Sequence, residues 1–228
     1  MRRLAFFLIF GLGGAAILIS LGIWQVQRLA WKEGLLTRIE TEIAADPVAL
    51  RDALEPEPRR YAPVRLTGAF DPEAGHVRVL ASRKSIGAVY RIIRPFQSEG
   101  YGRVLVDTGW VADGITALPR VPEGPVTLVG NLDDPIEADG FTPAPDLDTN
   151  IWFARDVPAM ARTLSTEPVL VVLREVPDSD LGVTPWPVDT AGIPNDHLQY
   201  AITWFSLSAI WLAMTAIFLR RPKAANKS

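Results

Sequence analysis

The stretch LAFFLIFGLGGAAILISLGIWQVQ, residues Leu4–Gln27, holds 24 residues without a formal charge. A second uncharged stretch, LQYAITWFSLSAIWLAMTAIFL, covers the 22 residues Leu198–Leu219. About 20 apolar residues in a helix cover the ~30 Å hydrocarbon core of a bilayer, and lipid cannot satisfy an open backbone. The two stretches therefore predict two transmembrane helices.

The first stretch has a second interpretation, a cleaved signal peptide, because Arg2 and Arg3 precede it. The apolar core of a signal peptide usually has about 7–15 residues, and this stretch is longer. Trp24 near its end is typical of an aromatic anchor at a membrane interface. We therefore interpret the stretch as an uncleaved membrane anchor.

Basic residues lie toward both ends of the sequence, with Arg2 and Arg3 before the first stretch and Arg220, Arg221 and Lys223 after the second. The positive-inside rule places both ends in the cytoplasm. Residues 28–196 contain all 26 acidic but only 17 of the 23 basic residues, so their formal charge is −9, which argues against nucleic-acid binding. The predicted organisation is a cytoplasmic N-terminus (1–3), a first span (4–27), an extracytoplasmic domain (28–196), a second span (197–219) and a cytoplasmic basic tail (220–228).

The middle segment alternates short runs rich in Val, Ile, Tyr and Phe with Gly, Pro and Asp, a pattern typical of strands joined by turns. The predicted strands are Tyr61–Phe70, His76–Ser82, Gly87–Phe96, Gly102–Val111, Pro125–Leu132 and Pro168–Val176. Such short strands favour a mostly antiparallel sheet that curls toward a barrel or a sandwich. The predicted fold class is a membrane protein of α+β type, in which two transmembrane helices flank a β-rich extracytoplasmic domain with short helices.

Helical features are predicted in the same segment. Apolar residues from Leu35 to Ile43 keep a helical spacing and extend the first helix to about residue 44. A short helix is predicted from Pro47 to Leu54, with Asp46 as its N-cap. Asp156 likewise predicts the start of a helix over Val157–Leu164.

Small residues on the two stretches allow the predicted spans to pack against each other. The first stretch has Gly11, Gly14 and Gly22, and the second has Ala209 and Ala213 at small-xxx-small spacing.

Enzyme chemistry finds little support in the sequence. There is no cysteine, there are only two histidines, His76 and His197, and no phosphate loop, Gly-x-Ser-x-Gly elbow or His-Glu-x-x-His motif occurs. Asp107 is better interpreted as a turn or hydrogen-bonding residue, and His76 as an exposed loop residue. Copper transport is disfavoured, because copper(I) prefers clustered soft ligands. We predict that the protein is not an enzyme.

His197 stands at the outer entry of the second span and offers a ligand-binding face. Tyr200, Ala201, Trp204 and Ser208 follow it at i+3, i+4, i+7 and i+11 and share that face. A planar, apolar ligand with a metal centre suits such a face, since neutral imidazole is a good axial ligand of haem iron. The alternative is an aromatic belt, because Tyr and Trp concentrate at membrane interfaces.

Two long motifs of this sequence resemble the surfeit locus protein 1 family, the membrane assembly factors of cytochrome c oxidase. They are Leu21–Arg28, followed by Trp31-Lys32, and Asn195–Phe205. Gly109-Trp110 and Trp152–Asp156 are weaker matches, and the topology of two spans around one outer domain is similar. Asp196 departs from the family, since many members have asparagine there, which changes only the local charge beside His197.

The resemblance implies a protein of the bacterial inner membrane, with its large domain in the periplasm, that binds haem a and assists its insertion into subunit I of cytochrome c oxidase beside haem a synthase. The histidine and tryptophan of the family fall on His197, as ligand of the haem iron, and on Trp204. Tyr200 and Trp24 complete the predicted aromatic contacts. Arg28 is a candidate partner of a haem propionate, with a boundary anchor as its alternative role.

Two questions stay open at this point. The outer domain alone is also compatible with a membrane scaffold that holds oxidase subunits or haem a synthase together without binding haem. A low-spin haem needs a second axial ligand, and either another protein or a second copy of this chain is a candidate to supply it.

Overall fold

The computed structural model describes residues 2–115, 118, 121–175 and 181–220, and its contacts divide the chain into two units. One unit contains residues 1–38 and 190–228, and the other contains Ile39–Asp189. The basic tail predicted at 220–228 lies, apart from Arg220, outside the described residues.

Two long helices form the first unit. Helix α1 (Arg2–Ala44) begins in this unit and ends in the second, and helix α4 (His197–Arg220) is the other partner. Both are long and apolar enough to cross a membrane, which confirms the predicted helices and the extension of α1 to residue 44. The topology of the chain across a membrane stays a prediction.

Glycines on α1 let α4 approach closely. A Cβ added at Gly14 would lie 2.6 Å from Nε1 of Trp211, and one at Gly22 would lie 2.5 Å from the Phe205 ring. The Trp211 indole N–H donates to the Gly11 carbonyl at 3.0 Å. The predicted packing of small residues is therefore confirmed for α1. It is wrong for Ala209 and Ala213, which are exposed, because bulky side chains of α4 fill the space above the α1 glycines.

An eight-stranded sheet forms the second unit, in the order β1-β2-β6-β8-β5-β4-β3-β7. The strands are β1 (Val48–Ala49), β2 (Pro63–Phe70), β3 (Val77–Arg83), β4 (Gly87–Ser98), β5 (Gly102–Ala112), β6 (Val126–Asp133), β7 (Ile151–Trp152) and β8 (Leu170–Glu175). Pairing is parallel for β1–β2, β3–β7 and β5–β8 and antiparallel elsewhere. The mostly antiparallel sheet and its six longer strands are confirmed, although Val176 lies outside the described residues.

The sheet closes on itself into a five-stranded barrel, because β2 pairs with β6 through most of its length and with β4 at its end. Gly68 takes part in both pairings, opposite Val126 on one side and Ser98 on the other. Side chains such as Leu66, Phe96 and Leu128 form one buried cluster. Each such apolar side chain contributes about 1.5–3 kcal/mol to folding through burial.

Two short helices accompany the sheet. Helix α3 (Val157–Leu164) covers a second buried cluster, and the Asp156 carboxylate accepts from the Ala159 N–H at 3.0 Å, which confirms the predicted cap. The helix predicted from Pro47 is wrong at its start. Helix α2 (Leu50–Leu54) begins after β1, because Val48 and Ala49 pair with β2, and Asp46 does not cap it.

Candidate functional site

His197 is the first residue of α4 and is held by a side chain of α1. Its Nδ1 lies 2.8 Å from Oε1 of Gln25, whose side chain is buried. An amide oxygen only accepts hydrogen bonds, so in the neutral ring a hydrogen bond at this contact requires the tautomer with its proton on Nδ1. The Nε2 atom, on the opposite edge of the ring, then keeps a lone pair that is available to a metal ion.

Of the four residues that follow His197 at helical spacing, two are buried between the helices and two are at least partly exposed. Ala201 and Ser208 are buried within the helix pair, and the Ser208 hydroxyl donates to the Ala15 carbonyl at 3.4 Å. Tyr200 is 54% exposed, and Trp204 is partly buried. The small residues therefore contact protein, so a planar ligand has no room over them, and the aromatic residues border the open side.

That open side is one flank of the helix pair. We locate this flank by Trp211, whose ring contacts Gly14 of α1. Trp204 and His197 precede Trp211 by seven and fourteen residues, and a seven-residue step is close to two helical turns, so they lie on the same side of α4. Arg28 follows Gly14 by fourteen residues. Gln25 is level with His197 through their contact, and Arg28 follows Gln25 by three residues, about one turn further along α1.

The two predicted site residues on α1 are Trp24 and Arg28. The Arg28 guanidinium lies 3.9 Å from the centroid of the Trp31 ring, a cation–π contact that covers one face of the cation. Trp24 is 53% exposed and directly precedes the buried Gln25. Trp24 and Arg28 are four residues apart and share one exposed face of α1 beside Gln25, and Tyr200 and Trp204 lie on the side of α4 that carries His197.

Gln25 is the residue that sequence reasoning missed as part of the site. The sequence does contain a sign of this role, because Gln25 follows Gly22 by three residues and therefore lies on the same side of the helix as the small residues. Polar side chains in a membrane span usually face a partner instead of lipid. The partner itself, 172 positions away in the chain, is visible only in three dimensions.

The start of α4 has no side-chain cap from Asn195 or Asp196 among the hydrogen bonds of the described residues. The Asp196 carbonyl accepts from the Tyr200 N–H at 3.1 Å, as in any first helical turn. Within the same described part of the chain, Oδ1 of Asn195 is buried without a hydrogen-bond partner.

The β-rich unit offers two titratable groups that the sequence singled out. Asp107 is fully buried with its Oδ2 at 2.5 Å from Nε of Arg91, and burial raises the pKa of Asp107 although Arg91 opposes this. This pairing fits the predicted hydrogen-bonding role. His76, predicted to be exposed, is partly buried and lines a cavity of about 460 Å³ with Arg94. Burial, Arg94 and Arg78 lower the pKa of His76. Among the described residues, no group of three or more His, Cys, Asp or Glu side chains is arranged to hold a metal ion.

Comparison of the sequence with known proteins finds the SURF1 family both among family models and among individual relatives. The model of the SURF1 family matches residues 12–209. Surfeit locus protein 1 of Xenopus tropicalis is 31% identical over 83% of this chain and 68% of its own length, and the human protein of that name is 31% identical over 83% and 70%. A SURF1-like protein of the bacterium Rickettsia felis is 27% identical over 90% of this chain and 92% of its own length.

Proposed function

The chain belongs to the SURF1 family, and from this premise we propose that it is a cytochrome oxidase assembly factor that binds haem a through His197. Members of the family are known as cytochrome oxidase assembly factors and are not enzymes. The proposed activity is to hold haem a and assist its insertion into subunit I of cytochrome c oxidase, beside haem a synthase.

The observation that carries the proposal is the contact of 2.8 Å between Nδ1 of His197 and Oε1 of Gln25. The contact with Gln25 engages Nδ1 and leaves Nε2 as the free nitrogen, and neutral imidazole of this kind is an axial ligand of haem iron. Trp204 follows on the same flank and offers an apolar ring of the size that packs against a macrocycle. The donor set of one imidazole among aromatic side chains fits haem better than it fits a hydrated metal ion.

Arg28 supplies the polar end of the proposed site. The propionates of haem are carboxylates, and the guanidinium edge binds carboxylate oxygens in pairs. The contact with Trp31 covers one side of the guanidinium, and we propose that its N–H groups on the open side bind the propionate. Tyr200, one turn after His197, completes the open side of the proposed site, and Trp24, one turn before Arg28 on the same exposed face of α1, offers a further aromatic contact.

The location of this flank supports a route for the cargo. Helices α1 and α4 pack closely against each other, so a macrocycle fits on the exposed flank of the pair and not between the two helices. Within a membrane that flank faces lipid, and we propose that haem a enters and leaves sideways through the bilayer. A transfer of this kind keeps an apolar molecule out of water at every stage.

The proposed orientation places both termini in the cytoplasm and the β-rich unit in the bacterial periplasm, in accord with Arg2, Arg3 and Arg220 at the cytoplasmic ends of the helices. His197 and Gln25 then lie at the periplasmic end of the helix pair. A second axial ligand, where the haem is low-spin, is assigned to a partner protein or a second copy of the chain.

The test is an optical and pyridine-haemochrome spectrum of protein purified in detergent after co-expression with the enzymes of haem a synthesis. The chain contains only two histidines, so His76→Ala is a matched control for His197→Ala. We expect haem a on the native protein and on His76→Ala, and its loss from His197→Ala at equal yield. Colourless native protein from membranes that contain haem a would contradict the proposal.

A scaffold that binds no haem is the second candidate, favoured by one observation on the β-rich unit. The loop between β6 and β7 exposes large apolar side chains, with Ile136 at 87%, Phe141 at 96% and Leu147 at 68%. Large apolar side chains exposed on one loop are candidates for contact with another protein. Retention of oxidase subunits by colourless protein, and their loss from Phe141→Ser, would support the scaffold.

A further inference from the structure

We propose that Gln25 is the positioning residue of the haem site and that its amide oxygen selects the proton state in which His197 binds iron. This inference rests on the proposed function and adds a role for a residue of α1. Gln25 has no contact with iron in the proposal. It acts through His197, by accepting the Nδ1–H proton and turning Nε2 away from α1 toward the flank.

The geometry of the contact carries the inference. The distance of 2.8 Å between Nδ1 and Oε1 is that of a good hydrogen bond. Gln25 is only 8% exposed, so water does not compete freely for its oxygen. The adjacent turn of α1 is packed as well, since Gly22 lies directly against the Phe205 ring. Gln25 is thus held on the side of α1 that faces His197.

The chemistry follows from the two forms of neutral imidazole. A ring with its proton on Nε2 has no lone pair there and cannot bind iron through that atom. With the amide oxygen of Gln25 at Nδ1, as in the structure, the hydrogen bond favours the productive form, whereas the unproductive form requires the amide to turn its NH2 group toward Nδ1. Histidines that ligate metals usually donate their other N–H to an oxygen, which fixes the ring and raises the basicity of the ligating nitrogen.

A purely structural role for Gln25 makes different predictions. If the amide only helped α1 and α4 to pack, its loss would alter stability and haem content but not the properties of the iron in the protein that still binds haem. A role through His197 alters the strength of the iron–imidazole bond itself. The stretching frequency of that bond and the reduction potential of the haem therefore separate the two roles.

The experiment compares full-length protein in lipid nanodiscs, loaded with haem a, as the native chain, Gln25→Leu, Gln25→Glu and Gln27→Leu. Leucine is similar in volume to glutamine and keeps apolar packing without the hydrogen bond. Gln27→Leu is the matched control, because Gln27 is exposed two residues further along the same helix. Haem affinity comes from Soret titration, the iron–histidine stretch from resonance Raman spectra of the reduced form, and the potential from redox titration.

We expect Gln25→Leu to weaken haem binding by about 10–100-fold and to lower the iron–histidine frequency, as for other outer-shell partners of ligating histidines. Gln25→Glu keeps an acceptor, so binding is retained, and its stronger acceptance raises the frequency and lowers the potential. Gln27→Leu is expected to match the native protein in all three quantities.

Three results would overturn the inference. Native affinity and frequency in Gln25→Leu would show that the amide is not coupled to the iron. Weaker binding with unchanged frequency and potential would assign Gln25 a packing role. These two results reject the inference alone, whereas a native protein that binds no haem would reject it together with the proposed function.

Discussion

Gly14→Ala is expected to weaken the pairing of α1 and α4, whereas the same substitution at the neighbouring Gly13 is expected to be harmless. The new methyl at Gly14 would meet Nε1 of Trp211 at 2.6 Å and the adjacent ring carbons at 2.7 and 2.9 Å. At Gly13 nothing lies within 4 Å of the added carbon. The two glycines thus form a matched pair on one helix.

The magnitude follows from the contacts of Trp211. Carbon atoms pack best at about 3.5–4.0 Å, so the indole has to move by roughly 1 Å. The ring is tied down by its hydrogen bond to the Gly11 carbonyl at 3.0 Å and by Phe10, whose ring centroid lies 5.4 Å away. Loss of that hydrogen bond costs about 1 kcal/mol, and overpacking costs about 1–3 kcal/mol. Alanine returns up to about 1 kcal/mol through its helix propensity, so the net loss is about 2 kcal/mol.

The assay is an SDS titration of full-length protein in mixed micelles, followed by loss of near-ultraviolet tryptophan dichroism. Gly14→Ala is expected to unfold at a lower SDS fraction than the native chain, and Gly13→Ala at an equal or higher one. Equal midpoints for the two variants would refute the packing of Trp211 on Gly14 and, with it, the assignment of the flank that carries His197.

Two further predictions concern the β-rich unit. Asp107→Asn removes the partner of the buried Arg91 and is expected to lower the free energy of unfolding by about 3–5 kcal/mol. In the same denaturant titration, exposed Asp134→Asn is expected to stay within about 0.5 kcal/mol, and equal loss in both variants would contradict the pairing. For Glu137, burial alone would raise the pKa, but the hydrogen bond and charge of Arg155 outweigh it and hold the pKa below its ordinary value of 4.5. This ion pair therefore stabilises the fold above pH 4.5, and its contribution is lost as the pH falls through the lowered pKa. Glu137→Gln is expected to reduce the fall in the free energy of unfolding below pH 4.5. An unchanged fall in the variant would contradict the ion pair.

The periodic features of the molecule were predictable from the sequence. An uncharged stretch such as Leu4–Gln27 forms a helix because lipid demands it, and the Val- and Ile-rich runs of the middle segment form strands because their branched side chains suit a pleated sheet. The Asp156 cap was also predictable, since its carboxylate reaches the N–H of Ala159 within one turn. These features depend on residues that are near one another in the chain.

The features that failed or were missed depend on distant partners. The helix predicted from Pro47 is cut short because Val48 pairs with Val64 of β2, and the two-residue strand Ile151–Trp152 exists only through its pairing with β3. Neither strand is long enough to show the hydrophobic alternation that predicts a strand from sequence. Closure of the barrel is also beyond the sequence pattern, because it requires Gly68 to pair with strands from two parts of the chain.

The candidate site shows the same division. Helical spacing groups Tyr200 and Trp204 with His197 and places Ala201 on the same face of α4. That residue is 2% exposed, because the approach of α1 fills the space. The Gln25 contact was hidden for the same reason, since which side of one helix faces another is decided by tertiary packing.

Direct binding of haem a by His197 is the central property proposed for this protein. The decisive measurement is a Soret titration of haem-free protein in nanodiscs with haem a, for the native chain, His197→Ala and His76→Ala. Loss of an outer-shell partner alone costs about 10–100-fold in affinity, so loss of the ligand is expected to cost at least ~100-fold. Saturable binding by the native chain and His76→Ala, with at least that loss in His197→Ala, is the predicted result. Equal affinity of all three proteins, or no binding by the native chain, would contradict the account.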